Sequence, residues 1–245
     1  VRAYYSLSNR ANHKAAFECT ETFLTQTESS GLMKAIHGGL IAEAAGKNFE
    51  YRQIPNEAAD AFAAALIIAL KGVDQSPSSA RSAREVGFVY SWQGAFIQMT
   101  SWFERAFELN PNDTSIAASY GYGLVLTGEY EKAIDVLGGA IKATTRHPTW
   151  WDFYYGLALL MEGRFDEASI AIQPMGLARR GLLYTALNAV LAFEKQDRIR
   201  SAFLVRELRE RYPRFAANPQ GSFEKRHFPR KLIDTLVEGL SRAGL

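Results

Sequence analysis

Four histidines and a single cysteine are the residues of this sequence best suited to acid–base, metal or nucleophilic chemistry. Their spacing argues against each. His13, His37, His147 and His227 have no partner at metal-ligand spacing, and Cys19 has no second thiol. They read as ordinary surface or interface residues, with no metal site and no cofactor. Glycines at Gly38–Leu40 (GGL) and Gly121–Gly123 (GYG) fall inside helical patterns, where they serve close packing and not a phosphate cradle. No Ser/His/Asp set is suggested, so the chain is expected not to be an enzyme. What remains is recognition chemistry: aromatic side chains and a few arginines at helical spacing, the composition of binding hot spots.

The elements that must position them are clearest in Thr114–Arg146. About Asp113 to Leu126, one stripe carries Ala117, Tyr120, Gly121 and Leu124; from Tyr130 a second carries Ala133, Leu137 and Ala140. Thr127-Gly128 lies between them, and a glycine there can take the left-handed conformation that closes a helix. Each helix is only about four turns long, marginal in isolation. Such a pair needs similar pairs beside it.

They are present. One unit earlier the same slots hold Val86-Gly87, Tyr90, Phe103, Ala106 and Pro111; one unit later they hold Tyr155-Gly156, Leu159, Gly163, Phe165 and Ala168. The turn texts Thr127–Ala133 (TGEYEKA) and Glu162–Ala168 (EGRFDEA) are near duplicates. This pattern resembles the tetratricopeptide repeat, a helix–turn–helix unit of roughly 34 residues. The resemblance implies an all-α fold, an α-solenoid of stacked antiparallel helix pairs wound into a right-handed superhelix.

On that frame, 1–245 reads as one domain of about six pairs: approximately 1–29, 30–78, 80–112, 113–147, 148–176 and 178–213, with a cap at 223–245. Tyr4, Tyr5, Ala16, Phe17 and Phe23 should pack the first pair. Gly46 should end the helix that begins near Leu32, and Pro55 should open the next, whose apolar text (NEAADAFAAALIIALKG) predicts burial between neighbours. Pro174 and Gly176 should shorten the fifth unit's second helix. Arg211–Ser222 reads as a loop, and Pro229–Ala243 as an amphipathic capping helix.

Bulk properties agree. At 47% hydrophobic and 22% charged residues the chain is not disordered as a whole, and a net charge of +2 gives no reason to expect nucleic acid. The apolar run Ala61–Leu70 is too short to span a bilayer. One cysteine excludes an internal disulfide, and with no signal-peptide pattern a reducing cytoplasm fits. A first residue of Val instead of Met reads as a piece of a longer protein. Lys195–Lys231 holds eleven Lys or Arg against four Asp or Glu. Arg206, Arg209 and Arg211 alternate with Glu207 and Glu210 there, as on a solvated helix face.

Two stretches narrow the resemblance. His147–Ser169 (HPTWWDFYYGLALLMEGRFDEAS) and the ending Gly239–Leu245 (GLSRAGL) are similar to the C-terminal tetratricopeptide arrays of bacterial adenylate cyclases and winged-helix transcriptional regulators. No cyclase catalytic residue or DNA-recognition helix is present to carry over. The resemblance implies a regulatory or sensory part of a bacterial signalling protein. The alternatives are the regulatory arm of a cyclase whose catalytic domain lies upstream, or a stand-alone scaffold that self-associates, as a homodimer for instance.

In such arrays the first helix of each pair lines a concave groove, at repeat positions 2, 5, 9, 12 and 13. Those positions are Arg81, Arg84, Phe88, Ser91 and Trp92 in the third unit. They are Ser115, Ala118, Tyr122, Val125 and Leu126 in the fourth, and Trp150, Phe153, Leu157, Leu160 and Met161 in the fifth. The partner expected there is a peptide or protein domain, or the effector domain of the parent chain. The clamp that grips acidic chaperone tails is not matched: its slots hold Phe88, Ser119 and Tyr154, with Arg84 alone basic.

Overall fold

The computed structural model describes residues 9–27, 30–51, 53–175 and 181–245, which form fourteen α-helices, one 3-10 turn and no strand. Two compact units divide the chain, Val1–Gly123 and Leu124–Leu245.

The first unit holds α1 (Arg10–Gln26), α2 (Gly31–Gly46), α3 (Ala58–Gln75), α4 (Ala80–Trp92) and α5 (Phe96–Leu109), and α6 (Thr114–Thr127) begins in it. Side chains cap the starts: Ser30 Oγ accepts from Met33 N–H, Ser79 Oγ from Ser82 N–H, and Asp113 from Ser115 and Ile116 N–H. Small residues set the closest packing. A Cβ added at Gly38 would stand 2.6 Å from the Ala65 carbonyl oxygen and 2.9 Å from Ala69 Cβ, and one at Gly87 would stand 2.5 Å from the Phe103 ring. Gly123 lies similarly against Thr100 and Phe103.

The second unit holds α7 (Tyr130–Lys142), α8 (Thr149–Met161), the short α9 (Phe165–Ala171) with a 3-10 turn at Gln173–Met175, α10 (Leu182–Glu194) and α11 (Arg198–Arg211). Then come α12 (Pro213–Ala217), α13 (Pro219–Glu224) and α14 (Arg230–Arg242). As the text predicts, Pro174 sits where α9 stops early. In α14, Leu232, Ile233, Leu236 and Leu240 are buried on one face, and Gly239 lets it approach Val190 of α10.

A single turn geometry recurs down the chain. Gly94, Gly128 and Gly163 have φ of +71°, +88° and +70°, and Gln196 holds the same slot at +63°. In each case the next N–H returns to the carbonyl five residues back: Ala95 to Tyr90, Glu129 to Leu124, Arg164 to Leu159 and Asp197 to Ala192. That bond closes the first helix of the pair and starts the second.

Several expectations need correction. The first helix of the first pair, with Tyr4 and Tyr5, lies outside the described residues. Phe23 is 37% exposed, because α1 turns Ala16 and Phe17 inward instead. Gly46 is the last residue of α2, as expected, but the left-handed residue of the turn after it is Asn48, at φ +53°, with Phe49 N–H returning to the Ala44 carbonyl. Gly46 is also the surface on which the Trp92 ring lies, with no room there for a Cβ. Pro55 does not open α3, which starts three residues later; burial of Ile54 draws the preceding chain into the core first. Nor is α3 buried all round: Ala61, Ala65, Ala69, Gly72 and Val73 are buried, while Ile67 is 55% exposed. The Arg211–Ser222 loop contains α12 and begins α13, each opened by the proline that reads as a breaker.

Candidate functional site

In the Val1–Gly123 unit the candidate residues gather on the outer turns of α4 and α6. Arg84 is the centre. Its Nε donates to Ser119 Oγ at 2.8 Å, one of its terminal nitrogens lies 3.2 Å from Glu85 Oε1, and its guanidinium sits 4.6 Å over the Phe88 ring. Ser119 donates in turn to the Ser115 carbonyl. Glu85 is buried beside Gly39, so a carboxylate with little solvent of its own faces the Arg84 charge. Phe88 meets the buried Phe103 ring edge-on at 5.1 Å, and Tyr122 reaches the same ring at 6.2 Å. Phe88 and Tyr122 are both half-buried.

Arg81 is exposed, with its guanidinium 3.5 Å from Asp113 Oδ2. Burial raises the Asp113 carboxyl. That is outweighed by hydrogen bonds from the Ser115 hydroxyl and N–H, the Ile116 N–H and the Arg81 charge, which together hold it below the usual carboxylate range. Trp92 is half-buried against Gly46 and serves packing between α2 and α4.

In the Leu124–Leu245 unit the outcome is mixed. Trp150 is half-buried and meets Trp151 and Tyr154 in edge-to-face contacts at 5.9 and 6.3 Å. Phe153 and Leu157, expected in the groove, are core residues at 5% and 0% exposure; Leu160, Val125 and Leu126 are buried likewise, as is Ala118 in the first unit. For Phe153 the reason lies near the end of the chain. Phe228 comes back to within 6.5 Å of Phe153 and stacks on Phe223, which meets Phe215 edge-on. Phe228 thus lies over Phe153 of α8.

Two polar clusters went unseen in the sequence. His147 Nε2 lies 2.8 Å from Oδ1 of the buried Asp152, and its ring stacks on Trp151 at 5.4 Å. Burial raises the Asp152 carboxyl, and the His147 hydrogen bond and charge oppose that. The pair is a five-residue local contact, but burial of Asp152 has no sequence signature. In the first unit His13 is fully buried. Its Nε2 lies 3.1 Å from the Leu40 carbonyl oxygen and its Nδ1 2.9 Å from the Tyr51 hydroxyl. A carbonyl only accepts, so Nε2 carries the proton and Nδ1 accepts from Tyr51. Burial lowers the His13 pKa to about 4, against the Leu40 bond and with help from the Lys47 charge. His37 is lowered by burial as well. Thr20 gives its hydroxyl proton to the Phe17 carbonyl at 2.9 Å, so it accepts from Nδ1–H of His37 at 2.8 Å. His13 is therefore a core residue, and half-buried His37 sits at the interface of α1 and α2.

Among the described residues no group of three His, Cys, Asp or Glu could hold a metal ion, and no helix is long and apolar enough to cross a membrane. In the basic stretch, Arg206 lies 3.9 Å from Glu210, Arg211 pairs with Glu207, and Arg209 donates to the Gly244 carbonyl.

Solved structures resemble the chain in fold. YrrB, described as a tetratricopeptide repeat protein with an unusual peptide-binding site, aligns with a TM-score of 0.55 at 16% identity, over 80% of this chain and 94% of its own. PilF of Pseudomonas aeruginosa gives 0.60 at 15%, over 86% and 88%. A tetratricopeptide repeat protein from Parabacteroides merdae gives 0.53 at 12%, over 95% and 79%. No family model matches the sequence. No curated protein matches it either. The chain has the all-α fold of tetratricopeptide repeat proteins.

Proposed function

We propose that this tetratricopeptide-fold chain is a non-catalytic protein–protein interaction module that seats a partner peptide on the α4–α6 face of its first unit. The observation that carries the reading is the Arg84–Phe88–Tyr122 surface. Two half-buried aromatic rings flank the Phe103 ring, and Arg84 is fixed beside them by Ser119 and Glu85. Rings and a guanidinium held in place lose little freedom on binding, which favours an anchor role. The peptide-binding site ascribed to YrrB supports the same mode for this fold. A partner carrying an apolar side chain and a carboxylate would suit the surface, with the apolar group on the rings and the acid towards exposed Arg81. Trp150 and Tyr154 offer a separate aromatic patch in the second unit.

The parent context we infer is a bacterial signalling protein of which this array is the regulatory part, supported by the His147–Ser169 and Gly239–Leu245 texts. A displayed library of random peptides, selected on the whole chain, tests the binding mode. Selected peptides should lose about tenfold or more in affinity against Phe88→Ala or Tyr122→Ala, with helicity kept. Equal binding to both variants would place the site elsewhere. Loss of helicity in Phe88→Ala would make Phe88 a core residue.

A further inference from the structure

Phe88 of α4 and Tyr122 of α6 occupy the same slot of successive helix pairs, and both reach the Phe103 ring. What two such rings can grip depends on the gap between them, and that gap follows from how α4 and α6 sit against each other. Two polar ties cross the seam on the N-terminal side of the rings. Arg81 lies 3.5 Å from Asp113 at the start of α6, and Arg84 Nε–H donates to Ser119 Oγ at 2.8 Å. The first tie is at the surface, where the Arg81 side chain is 67% exposed and its pairing is screened. The second is inside: the Arg84 side chain is 13% exposed and Ser119 is 0% exposed.

The Ser119 hydroxyl is fixed in its orientation. It gives its proton to the Ser115 carbonyl at 2.9 Å, one turn back on α6, so it faces Arg84 as an acceptor. Arg84 is then held in three ways: its Nε–H by Ser119, a terminal nitrogen by Glu85 at 3.2 Å, and its guanidinium 4.6 Å over the Phe88 ring. Glu85 and Phe88 belong to α4, as Arg84 does. Of these three partners Ser119 is the one supplied by α6. Without its oxygen the arginine would still answer to its own helix but no longer to the next, and a buried N–H would lose this acceptor.

We infer that Ser119 is a positioning residue of the peptide surface. Buried out of a partner's reach, it acts through Arg84, holding the guanidinium on Phe88 and α4 against α6, so that the gap between Phe88 and Tyr122 is formed before a peptide arrives. This deepens the reading of the α4–α6 face as a peptide site and rests on it. A site ordered in advance loses less freedom on binding, and the gain falls mostly on dissociation.

Peptides selected on the whole chain, of the kind that lose affinity with Phe88→Ala and Tyr122→Ala, supply the probe. Ser119→Ala should weaken their binding about fivefold or more, although the side chain touches no peptide. Alanine is smaller than serine and a better helix former, so far-ultraviolet circular dichroism should be unchanged. Arg84→Lys keeps a charge beside Glu85 but has no Nε–H for Ser119, and should weaken binding at least as much by itself. In the Arg84→Lys background, Ser119→Ala should cost nothing further. A residue acting through Arg84 gives that result, whereas a general loss of packing gives the same loss in both backgrounds. Proton exchange at Arg84 Nε–H, read by NMR without peptide, should be about tenfold or more slower than at the exposed Arg200, and Ser119→Ala should remove the difference. Unchanged affinity in Ser119→Ala, equal losses in both backgrounds, or fast exchange at Arg84 would each overturn the inference and leave the peptide site in place. Peptides indifferent to Phe88→Ala and Tyr122→Ala would overturn the peptide site, and this role with it.

Discussion

Lowering the pH from 7.5 to 5 should cost the first unit about 2 kcal/mol through His13. The side chain is fully buried, and its neutral form is satisfied at both nitrogens, donating to the Leu40 carbonyl and accepting from Tyr51. Protonation would place a charge among Phe49, Tyr51 and Leu40, close enough to Lys47 to feel its repulsion. The folded pKa is therefore about 4, against 6.5 for a free imidazole. The sign follows from proton uptake: between those two values the unfolded chain binds a proton that the folded chain refuses. Stability is thus full above pH 6.5, falls as the pH drops below it, and stops falling below about 4. The complete span is roughly 3 kcal/mol, at 1.36 kcal/mol for each pKa unit. About 2 kcal/mol of it is lost by pH 5, before most carboxylates titrate. With a urea dependence of about 1–3 kcal/mol per molar, the unfolding midpoint should move down by roughly 1 M. The assay is urea unfolding of wild type and His13→Gln at several pH values from 7.5 to 5. His13→Gln should be less stable at neutral pH but nearly flat across the range, with His37 supplying a smaller residual slope of the same sign. Parallel curves for the two proteins would refute the reasoning.

Two further substitutions test the packing and the turns. Gly87→Ala should destabilise the first unit by about 1–3 kcal/mol, read as a lower thermal midpoint, because the new methyl meets the buried Phe103 ring that carries Phe88 and Tyr122. Gln196→Gly should do the opposite. Removing left-handed strain of about 1–2 kcal/mol, set against roughly 0.5–1 kcal/mol of added unfolded-chain entropy, leaves a net gain near 0.5–1 kcal/mol. Gln196→Ala, which keeps the strained backbone, should show no such gain by the same denaturation assay.

How far the sequence discloses the molecule depends on how local the cause is. Gly128 and Gly163 announce their turns because the bond that closes each, from the next N–H to the carbonyl five residues back, is made within one helix end. The sixth unit carries no glycine there, and Gln196 adopts the same geometry under strain, since the helices on either side dictate it. Phe153 and Leu157 mislead for the opposite reason. Their spacing on α8 is that of a groove, yet both are core, and the ring that meets Phe153 is Phe228, seventy-five residues further on. His13 likewise depends on Leu40 and Tyr51, which only the folded chain brings to it.

The same distinction separates α4 and α6 from α3. Arg84, Phe88 and Tyr122 could be named from repeat phase because first-helix positions that no later segment covers keep part of their side chains open, and among the described residues Phe88 and Tyr122 stay half-buried. The face of α3 could not be named that way. Its apolar text predicts burial, and only the glycine–alanine seam with α2 reveals that the helix satisfies its fold with its smallest residues.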